Sequence, residues 1–190
     1  MGETDQAKLD EFRDRKRAEL SEDARRRTTD YLARVLADQP TVIFEKLAFL
    51  VGKPDDLRPK LIERWRDYLK KEARVADPVL GPWFELAALP AKAEPGQTFS
   101  ELSAPVMARW LALPEGTADG QLNPLLKAAL LAQPPRERVE VARVYGQAVA
   151  AAFAEWKKAG GNAEAEGKLS EPIRQVLKLL LAKDSPTDLS

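Results

Sequence analysis

A chain of 190 residues with no histidine, no cysteine, and 30 basic side chains set against 30 acidic ones excludes most site chemistry before any motif is read. Imidazole and thiolate metal ligands, disulfides and the common nucleophilic triads have no residues to form from, and a net charge of zero provides no long-range field toward nucleic acid or an anionic membrane. The length is enough to bury roughly 70% of the unfolded surface, so a real core can form without covalent or metal staples.

The first element is long. Leu9, Phe12, Leu20, Ala24, Tyr31 and Val35 fall on one stripe when Lys16 and Thr28 fill the gaps, a spacing of about 3.7 residues per step that predicts a helix. Between Asp10 and Arg27, 13 of 18 residues are charged, seven basic and six acidic. Glu11/Arg15, Glu22/Arg26 and Asp23/Arg27 stand at the favourable i,i+4 spacing. This predicts a solvated helical arm over residues 3–38, ending before Pro40.

Thr41 can cap a short buried helix over residues 42–51, an apolar run interrupted only by Glu45 and Lys46 and stopped by Gly52 and Pro54. Asp55-Asp56 then precedes an amphipathic helix with Pro59 in its first turn and Leu57, Leu61, Ile62, Trp65, Tyr68 and Leu69 along one face. Asp77-Pro78 opens a turn, and Gly81-Pro82 starts a short helix that Pro90 stops.

After a Pro95-Gly96 loop, the helix over residues 98–113 carries Phe99, Leu102, Val106, Met107, Trp110 and Leu111. Pro105 removes one of its backbone donors, and a break at Ser103-Ala104 is expected. Residues 114–120 read as a flexible linker. Asn123-Pro124 opens a helix to about Ala132, closed by Pro134-Pro135. A long helix follows over residues 136–159, with Val139, Ala142, Tyr145, Val149, Ala152, Phe153 and Trp156 on one face and Gly160-Gly161 at its end. Residues 161–168 read as a small polar loop, and Ser170 caps a last helix bearing Ile173, Val176, Leu177, Leu180 and Leu181. The expected fold is all-α, an irregular bundle of about seven or eight helices forming a single domain over 1–190. Its parts are the arm, a helical hairpin region over 41–89 and a bundle region over 98–182.

Chemistry-bearing constellations are few. The basic residues of the arm could meet phosphates, but interleaved acids cancel them and no aromatic platform accompanies them, so nucleic acid is not an expected partner. Trp65, Trp83, Trp110 and Trp156 each lie on an apolar helical stripe and read as core. Glu45, Glu85, Glu137 and Glu140 would have to converge in a cleft to act as an acid/base pair, and residues 162–166 lack the ordered oxygen ligands of a calcium loop. No enzyme activity, metal or cofactor is expected. No apolar run approaches the roughly 20 residues of a bilayer span, and Met1-Gly2-Glu3-Thr4-Asp5 lacks signal-peptide character, so no membrane insertion is expected either.

The ordered motifs carry a resemblance. Leu61-Ile62-Glu63-Arg64-Trp65 with Tyr68-Leu69, then Asp77-Pro78-Val79-Leu80-Gly81-Pro82-Trp83 running to Leu86-Ala87-Ala88-Leu89-Pro90, is similar to the helical middle region of the planctomycete cytochrome-c-domain-containing proteins. Leu122-Asn123-Pro124, Pro134-Pro135, Val141-Ala142-Arg143-Val144-Tyr145-Gly146 and Asp184-Ser185-Pro186 continue the pattern in order. The resemblance implies a connector within a large, exported, multidomain protein whose haem is attached elsewhere, with Asp184-Ser185-Pro186 as the handover to the next domain. Residues 42–51 and Pro105 depart from the pattern. Two functions are therefore expected: a non-catalytic connector or scaffold positioning flanking domains, or an interaction module. The second would grip a protein partner or a second copy through Leu9, Phe12 and Leu20 or through residues 42–51.

Overall fold

Helical periodicity along the sequence becomes nine α-helices and one 3-10 turn among the described residues, which are 3–37, 57–72, 74–90 and 96–189 of the computed structural model. The architecture is all-α, a multi-helix bundle, and among the described residues there is no β-strand. The expected helix over residues 42–51 and its Thr41 cap lie outside the described residues.

The N-terminal stripe is divided into α1 (Glu3–Arg26) and α2 (Thr28–Leu36). Arg27 interrupts the helix with φ −97° and ψ 17°, so the expected single arm to residue 38 is two helices. The cause is next in sequence. Thr28 is buried, and its hydroxyl donates to the carbonyl of Arg25 at 2.8 Å, a back-bond that competes with the helix ladder. The stripe itself survives the break: Ala24, Thr28 and Tyr31 are all buried.

Helix α3 (Pro59–Lys71) places proline at its first position and buries Leu61, Ile62, Trp65 and Leu69. The following turn is built by Asp77, whose carboxylate accepts from the backbone N–H groups of Val79 (2.8 Å) and Leu80 (2.6 Å). It delivers the chain into α4 (Gly81–Ala88), which packs on α5 (Phe99–Ala112). Gly81 is required there, because a Cβ at this position would stand 2.4 Å from the Trp110 ring.

Helix α5 starts with a reciprocal cap between Thr98 and Glu101 and runs unbroken through Pro105, against the expected interruption at Ser103-Ala104. Glu101 and Pro105 share the exposed face of the helix. The carbonyl that loses its donor is therefore open to water, and burial on the other face, by Phe99, Ser103, Met107 and Trp110, holds the helix together. The expected flexible linker over 114–120 is instead tied down. Gly120 donates to the Ala76 carbonyl (2.9 Å), Leu122 to that of Pro114 (3.0 Å), and the Gln175 side chain to that of Thr117 (2.5 Å).

Helix α6 (Pro124–Ala132) follows the expected Asn123 cap. The long helix begins later than expected: Arg138–Glu140 is a 3-10 turn, and α7 spans Val141–Lys158. Val139 is accordingly 41% exposed instead of continuing the buried face. Helix α7 is the axis of the bundle, packing against α2, α6 and α9 (Glu171–Leu181). The segment expected as a polar loop holds the short α8 (Ala163–Lys168), capped by Asn162, whose side chain accepts from the Ala165 N–H at 2.8 Å.

Candidate functional site

The arm and the chain's last described residues meet, and that meeting organises the site. From Gln6 to Glu19 every residue of α1 except Leu9 is exposed, while Ser21 and Ala24 are buried where the helix joins the bundle. Leu9 and Leu20 are half-buried, and Phe12 is 48% exposed. These three lie on one stripe, but the structure sets no partner surface against it among the described residues. Arg15 and Lys16 lie over the Phe12 ring, 5.6 and 6.0 Å from its centroid.

Ion pairing along the arm departs from the expected i,i+4 pattern. Arg13–Asp10 (3.4 Å), Lys16–Glu19 (2.6 Å), Arg17–Asp14 (3.6 Å) and Arg26–Asp23 (2.7 Å) are i,i+3 pairs. Glu22 turns to Lys157 of α7 at 3.1 Å. The Lys16 ammonium holds the Glu19 carboxyl below its usual range. Exposed pairs of this kind contribute little to stability individually; their effect is to keep the helix solvated.

Beyond α9 the chain folds back instead of leaving the bundle. Ser185, Pro186 and Thr187 are buried. The hydroxyls of Ser185 and Thr187 both donate to the Leu180 carbonyl, at 2.9 and 2.7 Å, satisfying an acceptor that the helix end leaves without a partner. From α3, the Arg64 guanidinium donates to the carbonyls of Ser185 (3.1 Å) and Asp188 (2.5 Å). Lys71 holds Asp184 at 3.0 Å, which lowers the Asp184 pKa and raises that of Lys71. Last, the Leu189 N–H donates to the Ser21 hydroxyl at 3.3 Å. The C-terminal segment is thereby clasped to the root of the arm. The resemblance implied Asp184-Ser185-Pro186 only as a handover to a next domain; the visible signal of a fold-back was two hydroxyl residues around a proline directly after a helix end.

A hollow of about 330 Å³ opens beside this root, between α1, α2, α7 and α9. Arg25, which lines it, is 19% exposed, and its nearest carboxylate is Glu22 at 4.0 Å. A second hollow, of about 440 Å³, has Leu69, Trp83 and Phe84 in its wall with Arg66, Lys70 and Arg138 around it; the Arg138 guanidinium donates to the Leu36 carbonyl at 2.7 Å.

The other sequence candidates are dispersed. All four tryptophans are buried. Trp83 stands edge-on to Tyr145, centroids 5.1 Å apart, and the Tyr145 hydroxyl donates to the Val79 carbonyl at 2.5 Å; burial pushes that phenol's pKa well up. Glu85 pairs with Arg109, while Glu140 accepts from the Arg136 N–H at 2.8 Å and pairs with Arg143 at 3.1 Å, so the two serve different helices. The hydrogen bond from Arg136 depresses the Glu140 carboxyl. Glu137 is exposed, and Glu45 lies outside the described residues. Among the described residues no three acidic side chains gather as a metal site, and no helix is long and apolar enough to cross a membrane.

No protein family, curated protein or solved structure matches the chain.

Proposed function

We propose that the chain is a non-catalytic helical connector that holds neighbouring domains in a fixed relation, within a larger exported, haem-bearing protein of the kind its motifs resemble. The haem would be attached elsewhere in that protein, and this segment would carry no cofactor, contact no nucleic acid and insert into no membrane. The observation that carries the reading is the clasp: Leu189 bonded to Ser21, with Arg64 gripping Ser185 and Asp188. A connector must transmit orientation from one end to the other. That requires both exits to be fixed to one rigid body, and the clasp fixes the C-terminal segment to the root of the arm.

The absence of native cysteine makes a direct test clean. Spin labels on Glu19→Cys and Lys183→Cys, both exposed positions, should give one narrow distance distribution by pulsed electron paramagnetic resonance. A broad distribution in a folded chain would remove the basis for a connector. A thermal melt without cooperativity, together with strong binding of anilinonaphthalene sulfonate, would do the same.

A second reading rests on Phe12, an aromatic ring 48% exposed on a helix whose exposed face is mostly charged. The stripe of Leu9, Phe12 and Leu20 would grip a protein partner or a second copy of the chain. Sedimentation velocity on the chain and on a triple serine variant at these positions separates the readings: identical behaviour of a monomer in both supports the connector alone.

A further inference from the structure

We propose that the hollow at the root of the arm is a binding site for a medium-chain monocarboxylate, a function that goes beyond the connector reading and stands independently of it. Arg25 carries the charge of this site. Its side chain is four-fifths buried, with 19% exposed, and its Nε is shut off from solvent without a hydrogen-bond partner. Among the described residues no side chain or carbonyl accepts a hydrogen bond from this guanidinium. The one carboxylate near it, Glu22, stands 4.0 Å away and is drawn toward Lys157 at 3.1 Å. A guanidinium presents its donors in a planar fork that matches a carboxylate, and burying it without such a partner is costly.

The rest of the hollow selects what that carboxylate would be attached to. Val149, Ala150 and Phe153 of α7 and Leu180 of α9 line it with apolar surface. Gly146 adds no side chain to the floor, and Thr29 packs directly against it, closing the hollow on that side. Lys157, 5.3 Å from the Phe153 ring centroid, neutralises the Glu22 carboxylate that lines the hollow, which leaves the positive charge of Arg25 to face a ligand. A volume of about 330 Å³ is at the small end of ligand sites and accommodates an unbranched tail of roughly six to ten carbons. The charge at one end and the apolar walls along the remainder fit an amphipathic monoanion better than a sugar, a nucleotide or a dianion.

Isothermal titration calorimetry with hexanoate, octanoate and neutral 1-octanol tests this on the whole chain. Octanoate should bind saturably at one site. Each buried methylene is worth about fourfold in affinity, so hexanoate, two methylenes shorter, should bind about fifteenfold more weakly. Octanol, unable to pair with Arg25, should also bind at least tenfold more weakly than octanoate. Arg25→Met, which keeps the length of the stem, should cost octanoate at least tenfold. Ala150→Trp, at an exposed position that tolerates bulk without touching the core, should abolish binding while leaving the circular dichroism melt unchanged. No saturable octanoate binding to the folded wild-type chain would overturn the proposal. So would octanoate binding that persists in Ala150→Trp, or octanol binding equal to octanoate. The last two comparisons decide the matter even if Arg25→Met fails to fold.

Discussion

Gly146 of α7 and Thr29 of α2 touch where the two helices cross: a Cβ on Gly146 would lie 1.9 Å from the Thr29 hydroxyl oxygen and 2.9 Å from its Cβ. The contact is side chain against helix backbone, so the strain of an added methyl cannot be relieved by swinging a flexible chain end. Gly146→Ala should therefore destabilise the fold by about 1–3 kcal/mol, the range for overpacking. The gain in helix propensity, about 1 kcal/mol, offsets part of it. Thr29→Ala in the same chain should recover part of the loss, because it removes the closest atom but leaves the Thr29 Cβ. A double-mutant cycle by urea unfolding measures this; additive effects would mean the helices do not meet at these residues.

Asn123 is fully buried and joins three elements. Its side-chain oxygen caps α6 at the Leu125 N–H (3.0 Å), and its amide donates to the Pro172 carbonyl (3.0 Å) and the Gln175 side chain (3.2 Å) at the start of α9. Its own N–H donates to the Pro78 carbonyl at 3.0 Å, a bond that any residue except proline retains. Asn123→Ala removes a cap worth about 1 kcal/mol and leaves buried acceptors unpaired at about 1–3 kcal/mol, a loss of about 2–4 kcal/mol in all. Asn123→Asp preserves the cap but replaces the amide donor with a second acceptor oxygen facing the Pro172 carbonyl, and should be destabilising too. Denaturant midpoints at neutral pH check both; a cost for Asn123→Ala no larger than that of an isolated cap would show that the bridge to α9 contributes nothing.

What the sequence disclosed about this fold was whatever depends on period and on local caps. The α3 face from Leu61 to Leu69, the Asn123-Pro124 start and the Gly160-Gly161 finish all follow from residues within one helix turn of each other. Gly161 sits at φ 66° and donates to the Trp156 carbonyl at 2.9 Å, as a helix terminator should. What stayed hidden was set by contacts distant in sequence. The 114–122 loop has linker composition, yet Gln175 and Ala76 hold it. Thr28 fits a single continuous stripe, yet its hydroxyl breaks the helix at Arg27. The clasp at residues 184–189 depends on Arg64, more than 120 positions earlier in the chain, and no local pattern announces such a pairing. Arg25 was indistinguishable in sequence from its neighbours Arg26 and Arg27. Only its burial against α7 and α9 sets it apart.

Pro105 lies in the interior of α5 without breaking it. Its ring removes one ladder bond and crowds the carbonyl four residues earlier, so α5 carries a local penalty that the buried face overcomes. Pro105→Ala restores the donor at an exposed position and should stabilise the chain by about 1 kcal/mol, less than the full interior penalty of proline because its stiffness also restricts the unfolded chain. A lower melting temperature for the variant would mean that the ring is itself a packing element.

The ion pair between Lys71 and Asp184 makes the clasp pH-dependent, and its sign follows from the two shifts. The Asp184 carboxyl is depressed by Lys71, so the contact is complete above the ordinary aspartate pKa of about 3.9 and is lost as pH falls through the depressed value. The Lys71 ammonium is raised by Asp184, so the same contact is complete below the ordinary lysine pKa of about 10.4 and is lost as pH rises through the elevated value. Between these limits the pair should be constant. Both side chains are well exposed, so the global melting temperature should barely respond. The local readout should respond: the Thr187 and Leu189 amide resonances should move together below the ordinary aspartate range, and Asp184→Asn should produce the acid-side positions already at neutral pH. A midpoint at or above the ordinary aspartate value, or amides indifferent to Asp184→Asn, would detach the ion pair from the clasp and leave Arg64 and Ser21 as its whole support.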